Sequence, residues 1–172
     1  MKSNLFPSKK ILKKSEQFST IPLMYYSKCK LGYVLRPEIG EEIQETLRQF
    51  AEKVELKGAF FTGIGTLNRV ELAFFCSDTK TYERKFFDDE YEMVSLNGNL
   101  SFTDGVPAPH SHVSICDRNF NTYSGHLVRG IVSLTAEILV MDLGLNLTRK
   151  EDPIMRYKGL ISPQRTHLKI DS

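Results

Sequence analysis

Residues 36–58 read RPEIGEEIQETLRQFAEKVELKG. Ile43, Leu47, Phe50, Ala51 and Val54 recur here at spacings of 4, 3, 1 and 3, which places them on one stripe of an α-helix. Pro37 stands just ahead, where its missing N–H costs little. Glu41 and Glu42 are expected in the first turn, and Lys53 and Lys57 near the end, charge placements that suit the helix dipole. Gly58 is expected at C′, the position that closes a helix. This is the one long helix the chain offers, and the segments around it read differently.

On the N-terminal side, Tyr25 to Leu35 alternates loosely and predicts one strand ended by Arg36-Pro37. On the C-terminal side the signal is β throughout. Ala59–Thr62 leads into Gly63-Ile64-Gly65, expected to be a tight connection between strands. Val70–Phe75 is the next strand, with a turn at Ser77–Lys80. Thr81–Phe87 and Tyr91–Phe102 follow, separated by the acidic run Asp88-Asp89-Glu90, expected to be a solvated loop. Asn97-Gly98 lies inside the second of these runs. A continuous strand with a bulge or close contact at Gly98 is preferred, because Asp104-Gly105 is a better-placed turn. His110–Cys116, Thr122–Leu127 and Ile131–Leu143 complete the strands. The last is nearly all apolar, as expected of a strand buried on both faces or against a partner subunit.

One long helix among seven or more tightly connected strands predicts an α+β fold: a compact single domain, with a largely antiparallel sheet flanked by that helix and by short helices. The expected organisation is a flexible basic arm over 1–22 (Lys2, Lys9, Lys10, Lys13, Lys14), a domain over 23–145, and a polar extension over 146–172. A length of 172 residues, 41% hydrophobic and 26% charged, fits one globular domain. A net charge of +2 argues against a body built wholly to coat nucleic acid. No apolar run approaches the roughly 20 residues of a membrane span, and no apolar core follows the first lysines as a secretory signal requires. Cys29, Cys76 and Cys116 form no Cys-x-x-Cys pair, so a disulfide framework is not expected and a cytoplasmic location is.

Chemistry concentrates in His110-Ser111-His112 and Gly125-His126. Three of the four histidines fall there. On a strand, residues at i and i+2 share a face, so His110 and His112 converge, and a third imidazole at 126 completes a three-nitrogen corner suited to a metal. Gly125 permits close backbone approach. The other reading is three polar strand residues satisfied by hydrogen bonds or water. Glu137 is the only charge between Ile131 and Met141. It is read as a fourth ligand, an acceptor for an imidazole N–H or a general base if the protein is an enzyme, or else as an ion-pair or edge residue. Gly63-Ile64-Gly65 lacks the third glycine and following helix of a phosphate loop. The cysteines are read as packing residues, Cys116 alone having a claim on the histidines by sequence proximity.

Taken in order, Leu35-Arg36-Pro37-Glu38, the helix, Phe61–Gly65, Val70–Phe75, Tyr82-Glu83 and Tyr91–Asn99 resemble the plant-and-prokaryote-conserved (PPC) domain. His110–Ser114, Gly125-His126-Leu127 and Ala136-Glu137 resemble its prokaryotic form. The resemblance spans about residues 25–143. It implies an antiparallel sheet flanked by helices, a homotrimer, and a metal, zinc or another divalent transition ion, on His110, His112 and His126. It also implies a DNA-binding or regulatory role. Plant relatives carry AT-hooks, and this chain lacks the Arg-Gly-Arg core that would enter a minor groove. A metal-dependent enzyme of unassigned reaction, hydrolysis being the one considered, is the alternative.

Overall fold

The structure, a computed structural model, describes residues 24–161. The basic arm expected over 1–22 lies outside them, as does the fourth histidine, His167. Eight strands and one helix follow in order. β1 (Tyr25–Cys29) and β2 (Gly32–Arg36) precede α1 (Ile43–Lys53). Then come β3 (Ala59–Cys76), β4 (Thr81–Thr103), β5 (Val106–Cys116), β6 (Thr122–Asp142), β7 (Thr148–Glu151) and β8 (Lys158–Ile161). All neighbouring strands are antiparallel except the single β4–β7 pairing. The fold is therefore a mostly antiparallel sheet with a single helix among the described residues. The short helices expected beside α1 are not among them.

The helix forms where its period placed it. Ile43, Leu47 and Phe50 are fully buried, against Leu35, Leu96, Leu100, Leu127, Ile138 and Val140 from the sheet. Its start is fixed by Glu42, one residue before the first turn, whose carboxylate accepts the N–H groups of Gln44 (3.1 Å) and Glu45 (2.7 Å). These are amides the helix leaves unpaired, and the negative charge also suits the N-terminal dipole. The same carboxylate accepts from Gly130 N–H at 3.2 Å, which ties the helix start to β6. At the other end Glu55, not Gly58, takes the left-handed conformation, with φ of 53°. Gly58 instead lies against Leu145 and Leu147.

The β prediction errs mainly by dividing long strands. Tyr25–Leu35 is a hairpin rather than one strand, turning at Lys30-Leu31. Gly63–Gly65 is a register irregularity inside β3 rather than a connection, and a second lies between Asn68 and Val70. Asp88-Asp89-Glu90 belongs to β4, exposed along the strand rather than looped out. Thr122–Leu127 and Ile131–Leu143 are one strand, β6. It is not buried on both faces. Ala136, Ile138 and Val140 point into the core, while Leu134 and Glu137 are exposed on the other face. The extension after 146 also contains structure, the β7–β8 hairpin.

The bends let the long strands close on themselves. β3 pairs β4, β4 pairs β5, β5 pairs β6, and β6 returns to β3. Asp104-Gly105 makes the expected two-residue turn between β4 and β5, with φ of 52° and 82°. Such a primed turn matches the strand twist, and both residues tolerate positive φ. β5, which carries two of the histidines, is thereby clamped between β4 and β6. No helix among the described residues is long and apolar enough to cross a membrane.

Gly98 lies opposite Phe61 on β3 and Ser111 on β5. A β-carbon there would collide with the His110 carbonyl oxygen and come within 2.5 Å of Phe61 Cζ. Gly98→Ala must displace either a fully packed ring or β5. The expected loss in unfolding free energy, read from urea denaturation, is about 1–3 kcal/mol. An unchanged midpoint would contradict this packing.

Candidate metal centre

Alternation along β5 separates the site from the core. Ser111 is fully buried, so His110 and His112 on either side of it emerge together on the opposite face. In the β5–β6 register His112 stands directly across from His126. Asn99 and Asn97 of β4 stand across from His110 and His112. The three imidazole centroids are 5.0–5.6 Å apart. One nitrogen from each ring lies within 4.8 Å of the other two. A tetrahedral ion with bonds of about 2.1 Å needs its nitrogens roughly 3.4 Å apart, within reach of small side-chain rotations. The three residues singled out by spacing are thus brought together.

Their backbone is held from behind by the helix. The Gln44 side-chain amide donates to Ser111 Oγ at 3.1 Å and to the Leu127 carbonyl at 2.7 Å. One side chain therefore joins the residue between His110 and His112 to the residue after His126. Gly125 sits close to β3, where a β-carbon would meet the Ala73 carbonyl at 3.1 Å. Gln44 was not singled out by sequence. Its position on the helix face toward β5 and β6 is a tertiary fact.

The electrostatics favour the neutral form of His110 and His126. Burial, followed by the nearby Arg149 guanidinium and the two other imidazoles, lowers the His110 pKa from 6.5 to about 4. His126 is lowered too, by burial first and then by His112 and Arg149. Among the described residues His126 Nδ1 is buried with no hydrogen-bond partner. A neutral, unpartnered imidazole nitrogen is the form a metal ion accepts. Beside the rings opens a cleft of about 820 Å³, walled by β4, β5 and the β7–β8 hairpin, with Tyr82 against His126 at 5.5 Å between centroids.

Glu137 is not part of this cluster. It is exposed and lies eleven residues along β6 from His126, about 36 Å of strand at ordinary rise. Its neighbours are Ile64, Ser95 and Leu139 rather than the imidazoles. Isolation in an apolar run marked it out, but the run faces outward at that position. Cys116 is four residues beyond His112 at the end of β5, and all three cysteines are free. Arg149, which no motif marked, reaches the site from β7. It donates to Ser101 Oγ (2.8 Å), Asn99 Oδ1 (2.9 Å) and the Lys158 carbonyl (2.7 Å).

The family model described as the Plants and Prokaryotes Conserved (PCC) domain matches residues 24–144. A PPC protein of Pyrococcus horikoshii is 32% identical with a TM-score of 0.72, over 83% of this chain and 97% of that one. A metal-containing protein of Archaeoglobus fulgidus is 25% identical with a TM-score of 0.72, over 81% and 99%. A protein of Ralstonia eutropha described as a candidate DNA-binding protein is 27% identical with a TM-score of 0.76, over 80% and 96%. Among curated relatives, the bifunctional protein GlmU of Synechococcus sp. strain JA-3-3Ab is 30% identical over 131 residues. The match covers 74% of this chain and about a fifth of that relative, 20% of its length.

The depressed imidazoles predict how the metal-free protein responds to acid. Between the ordinary value of 6.5 and the folded value of about 4 for His110, the unfolded chain binds more protons than the folded one. Stability is fully present above pH 6.5 and is lost as the pH falls toward 4. In chelator-treated protein the melting temperature should fall across that window, and less steeply in His110→Asn. Equal slopes for the two proteins would contradict the burial of this ring.

Proposed function

The chain belongs to the Plants and Prokaryotes Conserved (PCC) domain family, and from that premise we propose that it is a metal-binding protein of the three-histidine type. His110, His112 and His126 would hold a divalent transition ion, zinc first, and a site with three protein ligands keeps a further position for water or substrate. The observation that carries this reading is the convergence of one nitrogen from each of three imidazoles within 4.8 Å, with His126 Nδ1 buried and without a partner among the described residues. The Archaeoglobus relative, a metal-containing protein of the same fold, supports it. A bound ion would supply Lewis acidity and acidify a coordinated water. In this reading residues 23–145 are the family unit and the residues from 146 on are an extension that adds a wall to the cleft.

The same reading makes the protein a homotrimer. The sheet face turned away from α1 exposes Val34 (47%), Ile64 (57%), Val94 (53%) and Leu134 (66%). They lie near one another across β2, β6, β3 and β4. A contiguous apolar patch of this kind is a contact surface in search of a partner. A regulatory, DNA-associated role is the second reading, favoured by the description of the Ralstonia neighbour. Binding of that type would weaken steeply with salt, and a duplex titration at low ionic strength that shows no complex excludes it.

Purified protein should carry one zinc per chain, and His112→Ala should lower zinc affinity by about tenfold or more. Chelation should lower the melting temperature of the wild type and leave the triple His110/His112/His126→Ala variant unmoved. Zinc retained by the triple variant would overturn the assignment. Sedimentation should report three times the 19.7 kDa chain mass, and Leu134→Lys should reduce it. A wild-type mass of one chain would remove the trimer.

A further inference from the structure

The cleft beside the imidazoles is lined by two histidines and three cationic side chains, Arg149, Arg156 and Lys158, and by no carboxylate. Arg149 is the central member. It is partly buried, and burial pulls its guanidinium below its ordinary pKa. Among the described residues no carboxylate pairs with it. Its three hydrogen bonds go to a hydroxyl, an amide oxygen and a backbone carbonyl. These fix the plane of the guanidinium and leave two of its five N–H donors free. A half-buried cation with no counter-ion, set beside two more cations, is a site built for an anion.

We propose that this cleft binds a small oxyanion-bearing molecule, a phosphate or carboxylate compound, whose anionic group pairs with Arg149. The inference rests on the metal reading only for one feature: the ligand's position next to the open coordination site. The link is structural. Arg149 donates to Asn99, and Asn99 stands across the β4–β5 ladder from His110. Arg156 and Lys158, exposed on the β7–β8 hairpin, form the rim. The rest of the wall is apolar and aromatic. Tyr82 and Tyr157 both pack on Phe75, and Pro107 and Pro109 of β5 complete it. A cleft of about 820 Å³ is larger than a bare ion needs and suits a ligand with an organic body. β7 and β8 lie after residue 144, beyond the stretch the family model matches.

The test is calorimetric titration of full-length protein, zinc-loaded and chelator-treated, with inorganic phosphate and with malonate. Zinc content is measured in each sample. One-site binding of at least one anion is expected, weakened about tenfold or more by Arg149→Met and restored in part by Arg149→Lys. Preference for phosphate or for malonate identifies the head group. Arg156→Gln with Lys158→Gln leaves the backbone bond to Arg149 intact, and should weaken binding about two- to fivefold and flatten its salt dependence. This pair decides the matter if Arg149→Met does not fold by circular dichroism. Protein that takes up no zinc on loading but still binds phosphate through Arg149 counts against the metal reading alone and supports the anion site. No binding of either anion at about 10 mM, or affinity untouched by both sets of substitutions, overturns the proposal.

Discussion

The register between β5 and β6 is the constraint on which the site depends. With His112 opposite His126, and Ser111 turned inward, three imidazoles share one face. A slip of one residue would reverse every side chain of β5, burying His110 and His112 and exposing Ser111. Several features hold the register. Asp104-Gly105 fixes the β4–β5 turn, Gly98 admits the close approach of β5, and Gln44 spans from Ser111 to the Leu127 carbonyl. The helix is thus more than a cover for the core. Its Glu42 and Gln44 side chains both end on strands that carry the histidines or their neighbours.

How far the sequence could be read follows from the range of each signal. The helix was legible because Ile43, Leu47, Phe50 and Ala51 repeat with a helical period and face one core. The strands were legible as β but not in their true lengths. Glycines at 63 and 65, and charges at 88–90, look like breaks, yet in strands bent by register shifts they are bulge and solvent-face positions. The outward face of β6 misled in a different way. Leu134 and Leu139 make the run look buried throughout, while Glu137 between them is exposed. The histidine trio needed only the two-residue period and one short return, and both are local. Arg149 and Gln44 needed the tertiary fold. Apart from the Lys158 carbonyl, their partners are separated from them by 48 to 83 positions, with no pattern in between to announce them.

Two layers of the site now separate. The first is the imidazole trio on β5 and β6, inside the stretch the family model covers. In it His110 and His126 are pushed toward the neutral form by burial and by nearby positive charge. The second is the β7–β8 hairpin, whose Arg149 brings that charge and whose Arg156 and Lys158 line the cleft. Positive charge near an ion would weaken metal binding if nothing offset it. An anion at Arg149 would offset it, so the proposed metal and anion sites would support each other.

X-ray absorption at the zinc edge of the loaded, full-length protein tests the central claim most directly. The account predicts three imidazole nitrogens at about 2.0–2.1 Å and one further light-atom ligand, with no sulfur. A sulfur shell near about 2.3 Å, or a spectrum with fewer than three imidazoles, would contradict it.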